Sequence, residues 1–92
     1  MTESFRHKGL RLLYDEDNHK QVGAERADRL RLILSALQAA GQIEDMDQAT
    51  FRLHALSGEY EGFWAVKVTG NWRVFFRFVD DKATDVDLVD YH

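Results

Sequence analysis

The chain has no cysteine and no proline among its 92 residues. Without thiols it can form neither a disulfide scaffold nor a thiolate metal site, and this composition fits a reducing cytosol. Long apolar runs are missing too, since no stretch approaches the roughly 18 residues that a membrane-spanning helix needs. The opening residues, MTESF, lack the charged-then-apolar layout of a secretion signal. We therefore expect a cytoplasmic protein with no membrane partner.

Basic residues are in the minority, with 12 Lys and Arg against 16 Asp and Glu, which gives a formal charge of −4. Overall acidity argues against a nucleic-acid binder, but the charge is unevenly distributed. Residues 41–50 and 80–92 are strongly acidic, whereas residues 51–79 carry only two glutamates against four bases: Arg52, Lys67, Arg73 and Arg77. A local basic strip of this kind can still attract a polyanion.

Apolar residues are plentiful, at 45% of the chain with six Phe, two Trp and three Tyr. This supports one compact domain over residues 1–92. Helical periodicity predicts a short helix over Phe5–Tyr14, with Ser4 as a candidate cap, and a longer one over Glu25–Ala40. Gly41 follows the second helix, where a C-terminal capping glycine is common.

The second half changes to a period of two, which is typical of strands. Gly70-Asn71 between two apolar runs predicts a tight hairpin. Two helices followed by a four-stranded meander make an α+β domain. The predicted strands are Phe51–Leu56, Phe63–Thr69, Trp72–Val79 and Ala83–Val89.

A two-residue loop at Gly70-Asn71 predicts the register of the hairpin, with Val66 opposite Phe75. One face of the two strands is then apolar enough to pack on the helices, and we expect it to carry Phe63, Ala65, Trp72, Val74, Phe76 and Phe78. The open face would carry Trp64, Val66, Val68, Arg73, Phe75 and Arg77.

The length of the loop between the third and fourth predicted strands follows by exclusion. A two-residue loop at Asp80-Asp81 would bury Asp85 and Asp87, which is costly for unpaired carboxylates. We therefore predict a three-residue loop, Asp80 to Lys82. It would pair Phe76 with Val86, Val74 with Leu88, Arg73 with Val89, and Arg77 with Asp85.

The alternation of side chains along the strands places candidate catalytic residues on the open face. Burying Phe51, Leu53 and Ala55 turns Arg52 and His54 outward, beside Arg73 and Tyr91. RNA cleavage needs a base for the 2′-hydroxyl, a cation for the phosphorane and an acid for the leaving oxygen. Asp90 and His92 have the opposite parity and reach this face only where the chain end leaves the sheet. Arg52, Trp64 and Arg77 are the candidate RNA contacts.

Other interpretations of these residues remain open. A strand histidine that faces solvent commonly has no special role, and Arg77 with Asp85 can be an ordinary surface pair. Asp85, Asp87, Asp90 and His92 have the side chains for a divalent-ion site, although strand alternation divides them between two faces. The RNA-cleavage interpretation needs no metal or other cofactor.

Four segments resemble the HigB-type toxins of the RelE/ParE toxin–antitoxin superfamily, in the right order and spacing over essentially the whole chain. They are Ser4–Leu10 (SFRHKGL), Arg52–Leu56 (RLHAL), Gly70–Val74 (GNWRV) and Val89–His92 (VDYH). The fold that this resemblance implies is RelE-like: two N-terminal helices on a four-stranded antiparallel sheet, to which a short N-terminal strand can add a fifth.

The resemblance also implies a function and a set of residues. Active HigB-like proteins cleave mRNA on the translating 70S ribosome without metal, and a HigA-type helix-turn-helix antitoxin silences them. The catalytic set carried over is His54, Arg73, Asp90, Tyr91 and His92. In this hypothesis the two histidines share acid–base work and Asp90 orients an imidazole. Arg73 then holds the phosphate, and Tyr91 stacks on or hydrogen-bonds the nucleotide.

The chain departs from the family pattern at Ser57, where relatives often carry a lysine in the motif LHPLK. Serine supplies no cation, and the chain as a whole is acidic, so weaker activity is an alternative. One rival hypothesis is therefore a catalytically weak relative that binds its antitoxin and tunes repression. The other is a ParE-like gyrase poison, because the superfamily contains both activities.

Overall fold

A computed structural model describes residues 1–91; His92, one of the predicted catalytic residues, lies outside them. Two α-helices precede an antiparallel sheet whose strands follow one another in chain order, which confirms the predicted α+β meander. The elements are α1 (Lys8–Glu16), α2 (Ala24–Ala39), β1 (His54–Ala55), β2 (Trp64–Thr69), β3 (Trp72–Val79) and β4 (Lys82–Asp90). Short 3-10 turns lie at Ile43–Met46 and Gly58–Tyr60. None of the helices within residues 1–91 is both long and apolar enough to cross a bilayer.

The helix ends differ from the prediction. His7 caps α1 in place of Ser4, because its Nδ1 accepts a hydrogen bond from the backbone N–H of Leu10 at 3.2 Å. This satisfies one of the N–H groups that have no partner inside the helix. At the C-terminus of α2 the capping residue is Ala40 in an extended conformation, so Gly41 does not form the left-handed cap.

Ser4 belongs instead to an N-terminal segment that runs parallel to β4. Isolated bridges join Thr2 to Ala83 and Phe5 to Val86. The Ser4 hydroxyl lies 2.6 Å from the Thr84 hydroxyl and accepts a hydrogen bond from the Asp85 N–H at 2.9 Å. The predicted optional fifth strand is therefore a short parallel addition to the β4 edge.

The β2–β3 hairpin has the predicted turn but not the predicted register. Thr69 pairs with Trp72, but Lys67 then pairs with Arg73 and Val66 with Val74, so Val68 is an extra residue in a β-bulge. Such a bulge reverses the facing of every residue that precedes it. Consequently Trp64, Val66 and Val68 pack on the helix side, and Phe63 and Ala65 lie on the open face, the opposite of the prediction.

The β3–β4 hairpin has the two-residue turn that the sequence argument excluded. Asp80 and Asp81 both have positive φ, 52° and 63°, as a tight hairpin turn requires. A second bulge lies between the pairs Arg77–Thr84 and Phe75–Asp87, with Asp85 at a φ of 53°. This extra residue restores the facing, so the predicted pairs Val74–Leu88 and Arg73–Val89 are correct, whereas Arg77 pairs with Thr84 and not with Asp85 as predicted. The predicted three-residue loop is wrong because the extra residue lies in the strand.

The sheet separates two apolar clusters. The larger lies between the sheet and the helices and includes Leu30, Ile33, Leu37, Val74 and Phe76, each with no measurable exposure. The smaller, on the open face, consists of Phe63, Ala65 and Phe75, with Leu56, Tyr60 and Val89 packed against it. Both faces of the sheet are thus partly covered, the second by the chain segment around residues 56–63.

Arg29 ties α2 to the chain that leads into the sheet. Its guanidinium donates hydrogen bonds to the carbonyl oxygens of Thr50 and Lys67, the latter at 3.0 Å, and lies over the Phe51 ring at 5.2 Å. One side chain therefore supplies donors to carbonyls in two different segments.

Replacing this side chain should destabilise the domain. We expect Arg29→Gln to lower the free energy of unfolding by about 1–3 kcal/mol, since it leaves the partly buried Lys67 carbonyl without its donor. Urea unfolding followed by circular dichroism measures the change.

Arg31, two residues along α2, is the matched control. It pairs at the surface with Asp17 and Asp28, and its hydrogen bond to the Asp17 carboxylate raises the pKa of the guanidinium. Surface pairs contribute little to stability. An Arg31→Gln variant that is destabilised as much as Arg29→Gln would contradict the structural role given to Arg29.

Candidate active site

The open face is organised in rows across the strands. One row runs from His54 on β1 through Ala65 and Phe75 to Asp87 on β4. The next row is Lys67, Arg73 and Val89. Because directly paired residues of an antiparallel sheet point to the same side, the imidazole and two cations share one face.

Phe75 is the floor of this face. It is only 1% exposed, although it lies on the side away from the helices. The ring of Tyr60 contacts it edge-on with centroids 5.0 Å apart, and the ring of Tyr91 does so at 5.5 Å. Tyr60 also meets Phe63 edge-on at 6.0 Å. The four rings thus form one apolar cluster, in which the exposed Tyr91 offers the surface on which a nucleobase can stack.

His54 is exposed, and its Nδ1 lies 3.1 Å from the carbonyl oxygen of Arg52. A carbonyl can only accept, so Nδ1 carries the proton in this contact and Nε2 of the neutral ring keeps its lone pair. Arg52 has a φ of 50°, a left-handed turn of the chain just before β1. The local backbone therefore selects the tautomer in which Nε2 can act as a base.

Arg73 lies at the turn end of the face. Its Nη1 donates to the carbonyl oxygens of Gly70 at 2.7 Å and of Trp72 at 3.0 Å. A guanidinium has five N–H donors, so these two bonds orient the group and leave donors for a phosphate. Lys67, opposite Arg73 in the register, adds a second cation to this end.

The C-terminal residues are divided between the two sides of the sheet. The Tyr91 N–H donates to the Asn71 carbonyl at 2.9 Å, and its ring contacts Phe75, although the residue is 48% exposed. Asp90 is still within β4 and pairs with Trp72, whose side chain packs against the helix-side core. The tail therefore does not leave the sheet before Asp90, and the register puts Asp90 on the side away from Tyr91.

The predicted RNA contacts are also divided. Arg52 is exposed close to His54, and Arg77 lies on the open face with its Nη1 3.7 Å from Asp85, the ion pair that the sequence predicted. Trp64 does not belong to this face. It pairs with Phe76 and packs against the helix-side core, because the bulge at Val68 reverses its facing.

Sequence reasoning missed two cations of the open face. Lys67 was not among the residues predicted for the open face, because the bulge in β2 was not foreseen. Arg6 was assigned to a helix that begins later than predicted, at Lys8. Its guanidinium instead lies 5.1 Å from the Phe63 ring centroid. The sequence did contain a signal for Lys67, because a charged residue in the middle of an apolar strand indicates an exposed side chain at that position.

Comparisons with known proteins show to which family the chain belongs. A family model for the RelE-like toxin HigB of type II toxin–antitoxin systems matches residues 3–92. A curated relative, Endoribonuclease HigB of Proteus vulgaris, is 37% identical over 92 residues, which is 100% of both chains. The chain belongs to the HigB-like toxins. The sequence resemblance to this family is thereby confirmed.

The fold has a counterpart among solved structures. A crystal structure of a histidine-to-glutamine variant of YafQ from E. coli superposes with a TM-score of 0.60, covering 95% of this HigB-like chain and 89% of that one. The sequence identity is 15%, so this likeness concerns the fold alone.

The contact between Phe75 and Tyr91 can be measured by a double-mutant cycle. We expect Phe75→Leu and Tyr91→Leu to show a coupling energy of about 0.5–1.5 kcal/mol, the usual range for an edge-on aromatic pair. Chemical unfolding of the four proteins measures it.

Leu13 on α1 provides the control, because it lies in the helix-side cluster on the other side of the sheet. Phe75→Leu and Leu13→Ala should be additive. If the effects of Phe75→Leu and Tyr91→Leu on stability were also additive, Tyr91 would not be held on the open face as described.

Proposed function

We propose that this HigB-like toxin is an endoribonuclease that cleaves mRNA on the translating 70S ribosome and thereby inhibits translation. The observation that carries the proposal is the exposed imidazole of His54 on the same face as Arg73, Lys67 and Tyr91, around an aromatic floor. The name of the Proteus vulgaris relative, Endoribonuclease HigB, supports the same activity.

The chemistry requires only protein side chains. A base removes the proton of the ribose 2′-hydroxyl, whose oxygen attacks the adjacent phosphorus. The bond to the 5′-oxygen breaks, and an acid returns a proton to that oxygen. The products are a 2′,3′-cyclic phosphate and a free 5′-hydroxyl. In this proposal His54, through Nε2, and His92 share the roles of base and acid.

The remaining residues act on the phosphate and the nucleotide. Arg73, with Lys67 beside it, stabilises the extra negative charge of the phosphorane, and Tyr91 stacks on or hydrogen-bonds the nucleotide. Asp90 has the positioning role that the family resemblance implies, in which it orients an imidazole.

The partner in this proposal is a HigA-type helix-turn-helix antitoxin in the cytoplasm. Membership of a type II toxin family supports an antitoxin that binds the toxin directly. The open face is the part of the chain that such a partner must silence, either by covering it or by preventing entry into the ribosome.

Removing the imidazole should abolish most of the cleavage. We expect His54→Ala to lower the rate of mRNA cleavage in a cell-free translation extract by about 10²–10⁴-fold, the usual contribution of general acid–base catalysis. Arg73→Gln should lower it by about 10²–10³-fold through lost charge stabilisation. His19→Ala, at an exposed loop position, should leave the rate unchanged.

The two rival functions give different outcomes in the same set of assays. A gyrase poison would inhibit supercoiling by purified gyrase while the added mRNA stays intact. A catalytically weak relative would bind the antitoxin and leave translation unaffected at saturating protein. Cleavage that survives both His54→Ala and deletion of His92 would refute the catalytic assignment.

A further inference from the structure

A second group of charges lies on the open face, away from His54 and Arg73. Asp85 is the carboxylate between two arginines: Arg6 Nε lies 4.0 Å from its Oδ1, and Arg77 Nη1 lies 3.7 Å from its Oδ2. Both guanidiniums also pack on the ring of Phe63, at 5.1 Å and 6.0 Å from its centroid. These four residues are called the Phe63 cluster below.

The position of the cluster follows from the bulge in β4. Asp85 is the residue with a positive φ, 53°, which turns its carboxylate toward Arg77 on the open face. Arg6 comes from the N-terminal segment, whose backbone N–H donates to the Val86 carbonyl at 2.8 Å. The N-terminal segment and β3 thus bring one cation each to the same aromatic ring, and β4 places a carboxylate between them.

The charge balance of the cluster is positive. Two guanidiniums face one carboxylate, so a net charge of about +1 remains on a chain whose total is −4. The arginine side chains are 53% and 47% exposed. Ion pairs at this exposure contribute little to stability. Stability alone therefore does not account for two further arginines on a face that already carries Lys67 and Arg73.

The geometry fits a continuous nucleic-acid path. Arg77 is four residues from Arg73 on the same strand and the same face, or about 13 Å at roughly 3.3 Å per residue. Phe75 lies between them, and Phe63 packs in the same apolar cluster. Phe75 and Phe63 are buried themselves, so they support the arginines from below, while the half-exposed guanidiniums can follow the phosphate backbone of a single strand.

We propose that Arg6 and Arg77 form a second phosphate-binding site, which holds the RNA strand on nucleotides away from the scissile bond. This inference rests on the proposed endoribonuclease function and extends the RNA contact from Arg77 alone to a pair. Arginine suits the role because its planar fork can bind a phosphate with two hydrogen bonds while it rests on an aromatic face. Asp85 keeps the two guanidiniums oriented until the phosphate replaces it as their partner.

The test is the salt dependence of RNA binding. The probe is a fluorescein-labelled 15-nucleotide RNA with 2′-O-methyl riboses, which cannot be cleaved, and anisotropy is measured at several salt concentrations. Each phosphate contact to a single strand contributes about 0.7 to the slope of log K against log salt. The double variant Arg6→Gln/Arg77→Gln should therefore lower the magnitude of the slope by about 1.4.

Two control variants separate a specific contact from other effects. Arg11→Gln/Arg31→Gln removes the same charge from exposed or half-exposed positions on the two helices, and it should leave the slope unchanged. Arg6→Lys/Arg77→Lys keeps the charges, so it should recover most of the slope but lose the two-bond geometry. Thermal unfolding of each variant shows whether it is folded under the conditions of the binding assay.

Two results would overturn the inference. One is a slope unchanged in Arg6→Gln/Arg77→Gln while its melting temperature falls, since the pair would then only fasten the N-terminal segment to β4. The other is an equal loss of slope in the helix-side control, which would reduce the effect to net charge. Loss of cleavage in His54→Ala with an unchanged slope in the double variant would refute this inference and leave the proposed function standing. If wild-type protein cleaves no RNA, the proposed function itself fails.

Discussion

Strand alternation, interrupted twice, is the constraint on which this domain depends. A strand residue faces one side of the sheet or the other, and one inserted residue reverses that facing for the rest of the strand. Here Val68 is the inserted residue in β2 and Asp85 lies in the bulge of β4. The two bulges together decide which aromatic rings enter the helix-side core and which form the floor of the candidate active site.

The open face is unusual in having an apolar cluster of its own beneath its charged groups. Phe75 is as buried as the residues of the main core, yet it lies beneath Tyr60 and Tyr91 on the opposite side. A rigid floor of this kind limits the freedom of the side chains that stand on it, which helps to fix catalytic groups before a substrate binds. The acidity of the chain as a whole is compatible with RNA binding because five of its 12 Lys and Arg residues lie together on this one face: Arg6, Arg52, Lys67, Arg73 and Arg77.

The sequence predicted the larger features and missed those that depend on single inserted residues. Periodicity gave two helices, four strands and the α+β order, and turn chemistry gave the hairpin at Gly70-Asn71. The facing of Trp64 was wrong, because hydrophobicity is nearly equal on the two faces of β2 and parity alone cannot reveal a bulge. The argument against a two-residue turn at Asp80-Asp81 failed for the same reason, since Asp85 adopts a left-handed conformation that aspartate tolerates. His54, Arg73 and Tyr91 were placed correctly because nearby residues that pack on the helix side leave little choice of side: Leu53, Val74 and Leu88.

The edges of the sheet also bear on how the protein behaves in solution. β1 has only two residues, and on the other edge the backbone of the N-terminal segment hydrogen-bonds to β4 between Ala83 and Val86. Exposed strand edges are the usual templates for the addition of a further strand, and short or covered edges oppose it. The architecture therefore disfavours edge-to-edge stacking of copies, which would lead to fibrous aggregates at high concentration.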